Sequence, residues 1–161
     1  MTGIRSRPLT AAAFAPYGDV LEAEGAADKV INEGWCDRFH DRAGLDFGPG
    51  GRAGISLFRA RPRSLPYTCK MLERHPDGSQ AFLPMAVMDW LVIVAADDSG
   101  RPGAPRVFRP APGQGVNIAR NTWHGVLTPL AEPGLFAVVD RIGDTPNLQE
   151  HFLDQPFVVT S

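Results

Sequence analysis

At 161 residues the chain is about the length of one domain and can bury roughly two thirds of its unfolded surface, so residues 1–161 are expected to form one domain with one site. A net charge of −2 lacks the dense positive field that nucleic-acid binding needs, which leaves a small molecule as the expected partner. Cys36 and Cys69 are too few for a disulfide framework, no signal-peptide apolar region follows Met1, and the apolar runs Trp90–Ala96 and Leu135–Val139 fall far short of the ~20 residues that span a bilayer; a cytoplasmic protein that crosses no membrane is expected.

Taken in chain order, the first predicted element is a helix over Ala11–Ala15, capped by Thr10, about two turns long and closed by Pro16 and Gly18. Strand-sized runs rich in β-branched and aromatic residues follow: Lys29–Ile31, Ile55–Arg61, Tyr67–Leu72, Ala81–Met85 and Trp90–Ala95. Pro62–Pro66 reads as a connection, because two prolines remove two ladder donors. Asp97–Pro105 reads as a hairpin loop with Asp98-Ser99-Gly100 at its tip. Arg106–Phe108, Gly115–Ile118, Gly125–Thr128, Phe136–Asp140 and Phe157–Thr160 complete roughly ten strands, a spacing that favours an antiparallel sandwich or barrel. Trp123, Phe82, Phe58 and Trp90 are expected in its core, with Trp123 also able to wall a pocket, and Cys36 and Cys69 read as small buried apolar groups.

The most informative stretch is Glu73-Arg74-His75-Pro76-Asp77-Gly78-Ser79-Gln80. On a strand, Glu73 and His75 face one way. The Pro-Asp-Gly turn lets Gln80 return its side chain to the same side, and Arg120-Asn121-Thr122-Trp123-His124 supplies a second histidine at the start of another strand. Two His, one Glu and one Gln suit a borderline divalent ion such as nickel, iron, manganese or zinc. Glu-x-His alone is a common pattern, and its bland reading is an exposed Glu beside a hydrogen-bonded His.

In cupin barrels a first motif carries His-x-His followed by Glu, and a second motif places a His before a return strand. This chain resembles that pattern with Glu73, His75, Gln80 and His124 in the four places. Only the two histidines match strictly, and a neutral amide is a poorer donor than a carboxylate. The chain also resembles the ureidoglycolate lyase family along nearly its whole length. That resemblance is carried by Ala13–Val20, Ile31-Asn32, Phe39-His40-Asp41, Leu72–Pro76, Gln80–Met85, Asn121–His124 and Val139-Asp140-Arg141.

The resemblance implies a mainly β, antiparallel cupin-like barrel (a double-stranded β-helix) with a short N-terminal helix. It further implies a homodimer and a lyase of allantoin (purine) degradation that splits ureidoglycolate into glyoxylate and urea, with nickel and no organic cofactor. Glu73, His75 and His124 are the catalytic candidates, and the same three with Gln80 are the metal candidates.

That reaction requires the substrate carboxylate to be held, its hydroxyl deprotonated and the departing nitrogen protonated. Arg59, Arg120 and Lys70 are the candidates for the carboxylate, and Asn32 is a further substrate-binding candidate. The planar, always-charged guanidinium suits this task. Against it, Arg59 reads equally well as a strand-edge ion pair, Arg120 as a loop charge, and Asn32 with Arg38, His40 and Asp41 as a structural or interface group. Asp140 and Arg141 are expected in a mutual or cross-strand ion pair, and His151 in a structural place. The competing readings are a ureidoglycolate amidohydrolase, another small-acid cupin enzyme, and a non-catalytic ligand-binding cupin.

Overall fold

The computed structural model describes residues 3–161. It is mainly β, with strands β1 (Gly3–Arg5), β2 (Arg7–Pro8), β3 (Gly18–Leu21), β4 (Lys29–Ile31), β5 (Cys36–Arg38), β6 (Arg52–Arg59), β7 (Tyr67–Arg74) and β8 (Gln80–Pro84). The second half adds β9 (Trp90–Asp98), β10 (Arg101–Arg109), β11 (Gly115–Ile118), β12 (Trp123–His124), β13 (Thr128–Pro129), β14 (Leu135–Ile142) and β15 (Gln149–Thr160). The one α-helix, α1 (Ala11–Phe14), is a single turn and not the two expected; Thr10 caps it as expected, its Oγ1 accepting from the Ala13 N–H at 3.2 Å.

The larger sheet runs β1-β15-β7-β12-β9-β10-β2, with β13 beside β9, and the smaller runs β3-β11-β8-β14-β6. Nearly all pairings are antiparallel. The exceptions close the barrel: β1 lies parallel to β15, and β2, one residue further on, lies parallel to β10. Residues 3–8 therefore bridge the two edges of the larger sheet and curl it almost shut.

Strand β9 shows why its sequence is apolar without a break. Trp90, Val92 and Val94 face a core shared with the smaller sheet, among Phe82, Val116, Phe136 and Val138. Leu91, Ile93 and Ala95 face a second core inside the curled sheet, among Cys69, Leu72, Val107, Trp123 and Val159. A strand buried on both faces loses the alternation that marks a half-buried one. At one end of the first core Phe14 packs edge-on against Phe108, with ring centroids 5.6 Å apart.

Several boundaries differ from those the sequence suggests. The β9–β10 hairpin turns over only Ser99 (φ 54°) and Gly100 (φ 85°), a type I′ geometry in which glycine carries the left-handed residue without cost. The stretch up to Pro105 is paired strand; Pro102 and Pro105 are tolerated because β10 meets β2 only at Phe108 and Arg109, leaving its other edge free there. Gly125–Thr128 is not one strand: the pairing falls on β12 and β13 at either end of it. Phe58 lies on the edge strand β6 and is 36% exposed, and Cys36 is half-buried on the β4–β5 hairpin, unlike the buried Cys69. Among the described residues no helix is long and apolar enough to cross a membrane.

Phe136 is fully buried against Trp90, with centroids 4.9 Å apart, so Phe136→Ala is expected to cost about 3–5 kcal/mol in a denaturant melt. Phe152, 71% exposed, should cost no more than about 0.5 kcal/mol on the same substitution. Equal losses at the two positions would contradict this assignment of the core.

Candidate active site

The site forms where the two sheets meet at one end of the first core. In the larger sheet His124 of β12 sits opposite Glu73 of β7 on one side and Val94 of β9 on the other. Residues directly opposite point to the same face, so Glu73 and His124 share the Val94 side. His75 follows β7, the chain turns through Pro76-Asp77-Gly78, and Gln80 opens β8 in the facing sheet, opposite Asp140 of β14 and Ile118 of β11.

The ligating atoms of Glu73, His75 and His124 all lie within 4.8 Å of one another, and the two imidazoles are 5.1 Å apart at 41°. His124 Nδ1–H donates to the Gly125 carbonyl at 3.1 Å, which leaves Nε2 as the lone-pair nitrogen. That atom is buried and has no hydrogen-bond partner among the described residues, an unusual condition for an interior acceptor. Burial, with the neighbouring His75 adding to it, pushes the His124 pKa down to about 4, so the ring is neutral at pH 7 and its Nε2 is free to ligate.

His75 has acceptors at both ring nitrogens: the Asn147 carbonyl is 2.7 Å from Nδ1 and Gln80 Oε1 is 3.1 Å from Nε2. The amide cannot turn without loss, because Gln80 Nε2 donates to Asp140 Oδ2 at 3.1 Å. In the neutral tautomer Asn147 takes the single N–H, and the Nε2 lone pair then faces the Gln80 oxygen. A cation between them would reconcile the pair. Burial raises the Glu73 pKa, His75 lowers it, and Glu150, directly across on β15, raises it further. Two imidazole nitrogens and one carboxylate, with Nδ1–H groups fixed on backbone carbonyls, suit a divalent transition metal.

The carboxylate candidates are not gathered with this cluster. Arg59 ends β6 opposite Leu135, five residues along from the Gly54–Asp140 pair, or about 16 Å at strand rise. Lys70 is exposed beside the irregular stretch of β15, three residues before Glu73, and Asn32 stands on the β4–β5 hairpin. Arg120 alone is at the rim: its Nε donates to the Pro76 carbonyl at 2.6 Å, it reaches Asp46 at 3.6 Å, and the next residue's N–H bonds the His75 carbonyl at 2.9 Å.

Asp140 and Arg141 do not form the ion pair expected of them among the described residues. Asp140 accepts from Gln80, and Arg141 donates to the Phe47 and Pro49 carbonyls. Trp123 does not wall the site. It lies in the second core, its indole N–H donating to Asp97 at 2.8 Å and its ring 4.3 Å beneath the Arg74 guanidinium, while His151 packs edge-on against it at 5.9 Å. Asp140, Asn147 and Glu150 are site neighbours that sequence reasoning did not place there. A polar residue ending an apolar strand was the available signal for Asp140, whereas Asn147 acts on His75 through its backbone, which no side-chain pattern reveals.

The folded His124 pKa lies below the ordinary 6.5, so the unfolded chain binds the extra proton first as pH falls. The stability this neutral ring contributes is fully present above pH 6.5 and is lost as pH drops toward about 4, by roughly 3 kcal/mol. Urea melts of metal-free protein between pH 7 and 4.5 should show that loss, and His124→Leu should remove it. An unchanged pH slope in the variant would refute the assignment.

The model of the ureidoglycolate lyase family matches residues 1–160. A ureidoglycolate lyase of Rhodobacter capsulatus is 55% identical over 159 residues, covering 99% of each chain. One from a Chelativorans species is 52% identical over 160 residues, covering 99% of this chain and 97% of the relative, and ureidoglycolate lyase 2 of Rhizobium meliloti is 50% identical over 154 residues, covering 95% and 94%. Because the family model spans residues 1–160 and the relatives are 50–55% identical over nearly the whole chain, the chain belongs to the ureidoglycolate lyase family.

Proposed function

We propose that the chain is a ureidoglycolate lyase that releases glyoxylate and urea, with residues 1–161 acting as one catalytic domain of a cytoplasmic homodimer. The observation that carries the reading is the buried, partnerless His124 Nε2 within reach of Glu73 and His75, in a chain of this family. Two free cysteines suit a reducing compartment. The exposed apolar side chains of Ile55 and Leu57 on edge strand β6 suit a subunit contact.

Glu73, His75 and His124 would hold a divalent ion, with the Gln80 oxygen as a further donor; nickel is the ion this reading assigns. Such an ion supplies Lewis acidity that eases loss of the substrate hydroxyl proton. Glu73, its affinity for protons raised by burial, takes that proton. The carbon–oxygen bond then becomes a double bond as the carbon–nitrogen bond breaks, and Glu73 returns the proton to the departing nitrogen. No proton is gained or lost overall, and no covalent intermediate forms. Asp140 holds the Gln80 amide in the orientation that faces His75, and Arg120 at the rim receives the substrate carboxylate.

Purified protein given racemic ureidoglycolate should release urea and glyoxylate in equal amounts, lose activity on chelation and regain it with nickel. Ammonia in place of urea would assign an amidohydrolase instead, and full activity after chelation would rule out the metal. His124→Ala should lower kcat/KM by about 10²- to 10⁴-fold, the usual worth of a positioned proton-transfer or ligand group. Asp140→Asn, which replaces the charged acceptor that orients the Gln80 amide toward His75 with a neutral one, should lower activity or metal affinity by about 10- to 100-fold while the fold persists. An Asp140→Asn enzyme with unchanged kcat, KM and metal affinity would remove Asp140 from the site.

A further inference from the structure

The β4–β5 hairpin stands apart from the rest of the chain. Its two strands pair only with each other and pack chiefly on each other and on the Asn32–Gly34 turn. From Asp28 to Glu33 at the tip is five residues, so at strand rise the tip stands at most about 16 Å from the base. Trp35, next to the tip, is 89% exposed.

This segment is nevertheless built to hold a shape. The Asp28 carboxylate accepts from the His40 N–H at 2.9 Å and from Arg42 at 2.8 Å, tying the two legs together. The tip turns through three successive left-handed residues, Asn32, Glu33 and Gly34. Lys29 and Arg38 are opposite each other in register, so their side chains share one face. Neither has a carboxylate partner among the described residues, and Arg38 instead contacts His40 Nδ1 at 2.8 Å.

Glu73, Asp140 and Glu150 surround the active site with carboxylates. Of the cations near it, Arg74 is turned to Asp97 and Gln149 and Arg141 to backbone carbonyls, while Arg120 at the rim is shared with Pro76 and Asp46. Arg120 thus meets an anionic substrate while still beside an aspartate, and a second cation from outside the chain would strengthen that hold. The exposed apolar face at edge strand β6, with Ile55 76% and Leu57 66% exposed, gives a second copy a place to dock.

From the exposed, tied build of this arm and the cationic face shared by Lys29 and Arg38 we infer that the arm of one subunit reaches across a two-fold interface to the active site of the other, Arg38 and Lys29 meeting the substrate carboxylate there beside Arg120. The inference rests on the proposed lyase reading for its substrate, and adds a second cation beside Arg120. In a two-fold dimer each subunit both lends an arm and receives one.

The test is complementation between subunits. Arg38→Ala and His124→Ala are each expected to abolish most turnover in the homodimer. A heterodimer purified through two different tags, one subunit carrying each substitution, retains one site with an intact cluster and an intact arm. It should therefore recover about half of the wild-type rate per dimer, since a two-fold dimer has two equivalent sites. Background activity in the heterodimer, a fully active Arg38→Ala homodimer or a monomeric protein would each overturn the proposal. Acrylamide quenching of Trp35, read as the difference between wild type and Trp35→Phe, does not depend on turnover: a shielded indole is expected, and one quenched like free tryptophan would refute the arm's docking. If wild type releases no urea yet Trp35 is shielded, the fault lies with the lyase reading and not with the arm.

Discussion

Strand β12 is only two residues long, yet its phase decides the chemistry. Trp123 and His124 must point to opposite faces of the sheet, and the indole is fixed by the Asp97 carboxylate beside it and the Arg74 guanidinium stacked on it. With the large ring committed to the second core, His124 has no choice but the first, opposite Glu73. A slip of one residue would exchange the two, burying an imidazole among Leu72 and Ile93 and putting an indole beside Glu73 and His75. The anchoring of Trp123 is therefore a condition for the site, although the ring never touches it.

The same burial that positions the cluster sets its electrostatics. Water is excluded around His124, which holds the ring neutral and leaves its Nε2 without a partner. Removing either the low-dielectric surroundings or the backbone carbonyl that fixes Nδ1–H would convert a ready ligand into an ordinary titrating histidine. Behind His75 the Asn147 carbonyl does what the Gly125 carbonyl does for His124: it takes the Nδ1–H and leaves Nε2 as the lone-pair nitrogen. The two histidines are thus prepared by the same means, and the Asp140-held Gln80 oxygen faces the Nε2 of His75 in front.

How much of this was legible in the sequence depended on whether the signal was local. The shared face of Glu73 and His75 and the return of Gln80 after a Pro-Asp-Gly turn follow from strand periodicity and turn chemistry, whereas the late His124 joins them through the family resemblance; the structure brings all four together. The closely spaced β-rich runs left a sandwich or a barrel open, and the resemblance chose the barrel. The edges were not. Strands β1, β2 and β3 are short and have no sustained alternation, so they exist through their partners and not through their own residues. Arg59 was singled out because it sits in an apolar run, but that run belongs to an edge strand whose outward residues are apolar as well. Asn147 and Glu150 reach the site through a long-range pairing of β15 with β7, which no local pattern announces.

The seam that closes the larger sheet has a consequence for how the chain acquires its structure. Gly3 pairs with Val158 and Ile4 with Val159, contacts that join the two extremes of the sequence. On a ribosome, β1 emerges well before the β15 residues that pair with it and waits while the chain between them is made, so the curled sheet cannot close until β15 has emerged. Contacts of such long sequence separation also carry the largest loop-closure entropy before they return any energy. The second core, with Ile4 packed against it, is consequently the part of the molecule that is completed late.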